Sequence, residues 1–228
     1  LKQKQTKPLN NMTWNEELWP LVIQIYLKKP YGMKPLYSRD IVNLALELHI
    51  PPQTIHSKMA LLRKAPTPTL TRMMDIFQKK PQWLRKACQQ VRHAQGMGSG
   101  GVFFEDVEIV ETFEKDFKPV NAPTAQLTGR PLFTPVMLIM ILDLYFRLVP
   151  ATMVKETPEV KELANLLDIS AKDVVDILEI FMYCDPFIDN LDSLIDPMLP
   201  PCHDVWQRFA DEDLDKLAAL AQQLKEYF

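Results

Sequence analysis

The chain has 228 residues, enough for one large domain or two small ones and for a substantial buried core. Apolar residues make up 47% and charged residues 24%, a globular composition that argues against wholesale disorder, and no apolar run approaches the ~20 residues of a membrane helix. The net charge of −3 conceals a split: residues 1–95 carry 16 Lys and Arg against 5 Asp and Glu, a net of +11, while residues 96–228 carry 10 against 24, a net of −14. Such asymmetry predicts a basic module for an anionic partner and an acidic module with another task. Six glycines are too few for the hairpin turns of an all-β fold. Three cysteines make no disulfide framework, so we expect an all-α protein of a reducing compartment, the cytoplasm.

Residues 1–12 read as a flexible basic tail without the apolar core of a secretory signal. Thr13-Trp14-Asn15-Glu16 has the spacing of a capping box and predicts a helix to about Lys28, with Pro20 as a first-turn residue or a kink. Pro30, Gly32 and Pro35 mark a loop. Ser38 is a good N-cap for a helix from Arg39 to about His49, with Ile41, Leu44, Ala45 and Leu48 on one face. Ile50-Pro51-Pro52 breaks it, and Pro52 suits the first turn of a following helix, to about Lys64, with Ile55, Met59 and Leu62 inward. Pro66 and Pro68 end that helix, and two more are predicted over 70–79 and 82–93.

Gly96-Met97-Gly98-Ser99-Gly100-Gly101 holds four of the six glycines and lies at the charge boundary. It reads as a flexible linker. The expected organisation is a basic helical module over 13–95, a glycine-rich linker and acidic segment over 96–130, and an acidic helical module over 131–228. Within 102–117, Phe103, Val107, Val110 and Phe117 fall on one helical face, whereas alternation at Val107, Ile109 and Glu111 fits a strand; the helical neighbours favour the helix.

The second module resembles the first in register. Pro135 follows Thr134 as Pro20 follows Trp19, an offset of 115, and Thr157 stands where Ser38 stood, at 119, which implies an intervening loop four residues longer. From that cap onward Ile41, Leu44, Ala45, Leu48, Ile50, Ile55, Met59 and Leu62 become Val160, Leu163, Ala164, Leu167, Ile169, Val174, Leu178 and Phe181. This agreement predicts an internal duplication of a helical unit.

The segment Ile41–Met59, with a small residue at Ala45, the turn Leu48-His49-Ile50 and an apolar residue at Ile55, resembles the helix-turn-helix DNA-binding superfamily. The counterpart positions are Ala164, Leu167-Asp168-Ile169 and Val174. The family usually has glycine at the turn, where the backbone is left-handed; His49 and Asp168 depart from that but are types that tolerate it. The resemblance implies that the second helix of the pair enters a major groove. Gln53, Thr54, His56 and Ser57 would then face base edges, and Lys58, Arg63 and Lys64 the phosphates, joined by Lys28, Lys29, Lys34 and Arg39 from earlier elements. At equivalent places the second copy carries Lys172, Asp173, Asp176 and Glu179, three of them acidic, so it is not expected to bind DNA. Its acidic face suits a protein partner, or a masking contact with the basic half.

Catalytic motifs are missing from the sequence. The four histidines fall in no metalloprotease spacing, and Cys184, Cys202 and His203 lack the close ligand pairs of a zinc site. Asp185, Asp189, Asp192 and Asp196 lack the spacing and glycine of a calcium loop. No phosphate-cradling glycine loop and no nucleophile elbow occur. The stripe Leu214, Leu217, Ala221 and Leu224 predicts a last helix, from about Asp211, packed on its own module rather than forming a dimer seam. The sequence therefore points to a non-enzymatic DNA-associated protein, such as a transcriptional regulator, without cofactor, metal or membrane. The alternative is a protein–protein interaction module in which the helix-turn-helix units are only structural.

Overall fold

The computed structural model of the chain describes residues 14–64, 66–94, 113–188, 195–210 and 213–228. Every regular element among them is a helix. The chain forms two compact units, residues 1–110 and 111–228. The expected tail, the Thr13 cap, the glycine linker, the segment 102–112 and the acids at 189, 192 and 211–212 lie outside the described residues.

The first unit is built around a short apolar helix. The Asn15 side chain accepts a hydrogen bond from the Glu17 N–H at 3.1 Å and starts a 3-10 turn, Glu16–Leu18. The turn runs into α1 (Trp19–Tyr26), where Pro20 sits in the first turn and gives up no needed donor. Trp19, Leu21, Val22, Ile23 and Ile25 of α1 are all buried. Each fully buried aliphatic side chain contributes roughly 1.5–3 kcal/mol relative to an exposed one.

Helix α2 (Arg39–Leu48) buries the stripe Ile41, Leu44, Ala45 and Leu48. Ser38 occupies its N-cap position, but the hydroxyl makes no capping bond and is buried without a partner among the described residues. The helix stops at His49, whose backbone is left-handed at φ 53° and ψ 36°, and the Ile50 N–H returns to the Ala45 carbonyl at 3.1 Å. Three residues separate α2 from α3 (Pro52–Lys64), which buries Ile55, Met59 and Leu62 against α2 and α1. Helix α4 (Pro68–Lys79) is capped by the Thr67 hydroxyl and buries only Leu70. Helix α5 (Pro81–Ala94) folds back on α1, with Leu84 and Cys88 buried and the Cys88 thiol donating to the Pro20 carbonyl at 3.4 Å.

The second unit is organised around α7 (Pro135–Arg147). Its residues from Pro135 to Tyr145 are all buried, because neighbours cover it on every side. The Thr134 hydroxyl caps it by accepting from the Met137 N–H at 3.4 Å. Helix α6 (Ala122–Thr128) precedes it and ends in a left-handed Gly129, φ 68°. Helices α8 (Pro158–Leu167), α9 (Ala171–Cys184), α10 (Leu199–Phe209) and α11 (Leu214–Leu224) pack around the hub. Leu217, Ala221 and Leu224 of α11 are buried within the unit, while Leu214 is exposed.

One sequence expectation changes here. Residues 113–130, read as linker and acidic segment, are an integral part of the second unit. Phe113–Phe117 is a 3-10 turn, Arg208 grips Asp116 at 2.8 and 2.9 Å, and Phe117 meets the Tyr227 ring edge-on at 5.1 Å. The caps Asn15 and Thr134 lie 119 residues apart, as do Ser38 and Thr157, the left-handed His49 and Asp168, and Ile50 and Ile169. Proline stands in the first turn of both α1 and α7 because it suits any helix start. Of the eight apolar positions that the sequence reading pairs with Ile41 to Leu62, seven are buried and Ile169 is half-buried.

Candidate nucleic-acid interface

The left-handed residue after α2 sends α3 off as a separate helix lying across α2 and α1, and only its outer face meets solvent. Gln53, Ser57, Leu61 and Lys64 are exposed along that face, at helical spacing. Gln53 donates from its side-chain amide to the Tyr37 hydroxyl at 3.1 Å, and the Ser57 hydroxyl donates back to the Gln53 carbonyl at 2.8 Å. Thr54 and His56 are half-buried. Arg63 and Lys64 are exposed and form no ion pair among the described residues.

The other predicted cations divide. Lys34 is buried at 7% exposure, and its ammonium donates to the carbonyls of Lys28, at 2.7 Å, and Pro30. It is a loop staple and leaves the phosphate-contacting set. Lys28 is paired with Asp40 at 2.6 Å. Lys58 lies 4.8 Å over the Trp14 ring and 6.0 Å from the Trp19 ring centroid. Beneath it, Glu16 accepts from the Trp19 and Trp14 indoles, which with Lys58 hold its carboxyl below the usual range. Lys58 is thus turned aside from the exposed face of α3 by a cation–π contact. Lys29 and Arg39 are exposed.

Sequence reasoning predicted the two helices that follow but left their cations out of the site. Between Arg63 and Lys86 stand seven cations, Arg63, Lys64, Arg72, Lys79, Lys80, Arg85 and Lys86, against one acid, Asp75, and all are exposed. Trp83 is 57% exposed, and the Lys80 ammonium sits 4.4 Å over its ring. A charge count helix by helix would have found them; the helix-turn-helix pattern drew attention to α3 instead. Exposed cations beside an aromatic face are the chemistry that holds phosphates and stacks on bases.

Helix α9 is placed differently. Ser170 and Asp173 form a capping box, with the Asp173 N–H donating to Oγ at 3.1 Å. Lys172 and Glu179 are exposed and Asp176 is half-buried. Helix α10 covers α9, with Trp206 against Phe181 at 6.3 Å between ring centroids. The acids around it have structural partners: the Tyr145 hydroxyl donates to Asp185 at 2.7 Å, and Arg130 holds Asp196 at 2.8 Å. Burial pushes the Cys184 thiol up to about 11. No group of three or more His, Cys, Asp or Glu among the described residues is placed to hold a metal ion.

Compared with protein-family models, curated proteins and solved structures, the chain matches none. The class the fold defines is an all-helical protein of two units, with no described helix long and apolar enough to cross a membrane.

Proposed function

We propose that the protein is a non-enzymatic, DNA-associated regulator that binds through its first unit. The observation that carries this reading is the run of seven exposed cations from Arg63 to Lys86, opposed only by Asp75 and accompanied by the exposed Trp83. The footprint in this reading is the C-terminal end of α3 with α4 and α5, not the N-terminal turn of α3 that the helix-turn-helix resemblance suggests. The common spacing of 119 between caps and left-handed turns supports a duplicated unit, of which the acidic second copy has no place on a phosphate backbone.

The test is charge reversal in the full chain. Arg85→Glu with Lys86→Glu is expected to weaken binding to duplex DNA more than Lys28→Glu, because Lys28 is neutralised by Asp40 while the α5 pair is not. Equal effects would remove the assignment to α4 and α5.

One observation favours a second reading, a protein-docking surface. Leu61, Ile76 and Trp83 are exposed, and Met73, Met74 and Phe77 are half-buried, so α4 offers apolar area that phosphate binding does not need. Ile76→Lys separates the two: it should preserve or improve DNA affinity, and would abolish binding to a protein docked there.

A further inference from the structure

Along α4 and α5, exposed apolar and cationic side chains alternate. Ile76 of α4 is exposed, with Arg72 four positions before it and Lys79 three after, each about one helical turn away. On α5, Leu84 and Cys88 take the inward side, which leaves Trp83 outward, with the exposed Lys86 three positions on. The junction between the helices fixes the tryptophan. The Lys80 N–H closes α4 on the Ile76 carbonyl at 2.8 Å, and the Trp83 N–H returns to the Lys80 carbonyl at 2.9 Å. Pro81 between them has its φ locked by the ring, so this turn has little freedom to lose on binding. The turn brings the Lys80 ammonium 4.4 Å over the indole of Trp83, a residue left 57% exposed.

We propose, resting on the DNA reading of the first unit given above, that this surface binds single-stranded DNA, with Trp83 as the platform on which an unpaired base stacks and Lys80 as the partner of that nucleotide's phosphate. The pairing of side chains selects the class. A duplex holds its bases inside the stack and turns its phosphates outward, so it engages the cations and leaves the indole idle. A protein docked on Ile76 and Trp83 has to desolvate the cations set one turn from each. A single strand presents a π-face and a phosphate at every nucleotide, and so satisfies both kinds of side chain at once. The apolar area that phosphate binding alone does not need thereby acquires a use. Stacking responds to the presence of a base and not to its identity, so this contact carries no sequence preference.

The test uses the full chain and two fluorescein-labelled probes of equal length, an oligothymidylate and the same backbone with every base removed. The abasic strand keeps the phosphates and loses only the π-faces. Oligothymidylate should bind at least about fivefold more tightly than the abasic strand, the low end of what one base–aromatic stack contributes. Both affinities should fall with salt alike, since the phosphates are the same. Trp83→Ala should bring oligothymidylate down toward the abasic strand, and Trp83→Phe should keep most of the difference. Helical circular dichroism reports whether each variant folds, and the wild-type comparison of the two probes needs no variant at all. Equal affinities that both fall with salt would sink the platform while leaving the phosphate contacts standing. A preference for oligothymidylate that Trp83→Ala leaves intact would sink it as well. If neither strand binds at low salt, the platform and the DNA reading fall together.

Discussion

His49 and Asp168 stand 119 positions apart and close their helices with the same left-handed backbone, φ 53° and 55°. In each case the next residue, Ile50 or Ile169, returns its N–H to the alanine five positions back, Ala45 or Ala164, at 3.1 and 3.0 Å. Side chains with a Cβ resist this conformation, and β-branched ones resist it most. Asp168→Val is expected to lower stability by about 1–2 kcal/mol, and His49→Val by a similar amount. Asp168→Gly should hold stability level or raise it, by at most about 1 kcal/mol. Urea midpoints check the three variants; an unchanged midpoint for Asp168→Val would refute the turn.

Asn121 predicts the cost of undoing the segment that joins the second unit ahead of α7. Its buried side chain donates to the Pro131 carbonyl and accepts from the Phe133 N–H, both at 2.8 Å. Asn121→Ala leaves two backbone groups unpaired and should cost about 1–3 kcal/mol. Asn121→Asp should also destabilise, since a carboxylate keeps the Phe133 bond but turns an acceptor toward the Pro131 carbonyl. Thermal unfolding of both variants measures this.

Much of the scaffold was legible because it is local. The stripe Ile41, Leu44, Ala45 and Leu48 recurs at helical spacing, and the structure buries those four positions together with Val42. Prolines at 52, 66, 68 and 135 punctuate the helices for stereochemical reasons readable one residue at a time. What escaped depends on distant partners. Nothing near Lys34 announces that the loop carries the carbonyls of Lys28 and Pro30 onto its ammonium. Lys58 and Trp14 are 44 positions apart, and only the packing of α3 on the chain start brings them together. Residues 113–130 looked like a connector because their contacts, Arg208 to Asp116 and Tyr227 to Phe117, come from the far end of the sequence. The cations of α4 and α5 were visible as counts; their exposure was not.

Acid should act on the cluster at the start of α1. Glu16 accepts from the Trp19 and Trp14 indoles, and its pKa lies below the ordinary value of 4.5. A lowered folded value means that its contribution is complete above pH 4.5 and is lost as the pH falls through the lower folded value. Tryptophan fluorescence followed downward in pH should show a step below 4.5 that Glu16→Gln lacks. An identical step in the variant would detach it from Glu16.

The salt dependence of duplex DNA binding by the full chain tests the central claim most directly. Each engaged phosphate contributes about −0.9 to the slope of log affinity against log salt concentration. With the α3–α5 cations on the backbone, the slope should be steeper than about −4, and it should flatten by about one for each of Arg72, Lys79, Arg85 and Lys86 changed to Gln. No binding at low salt, or a slope those four substitutions leave untouched, would contradict it.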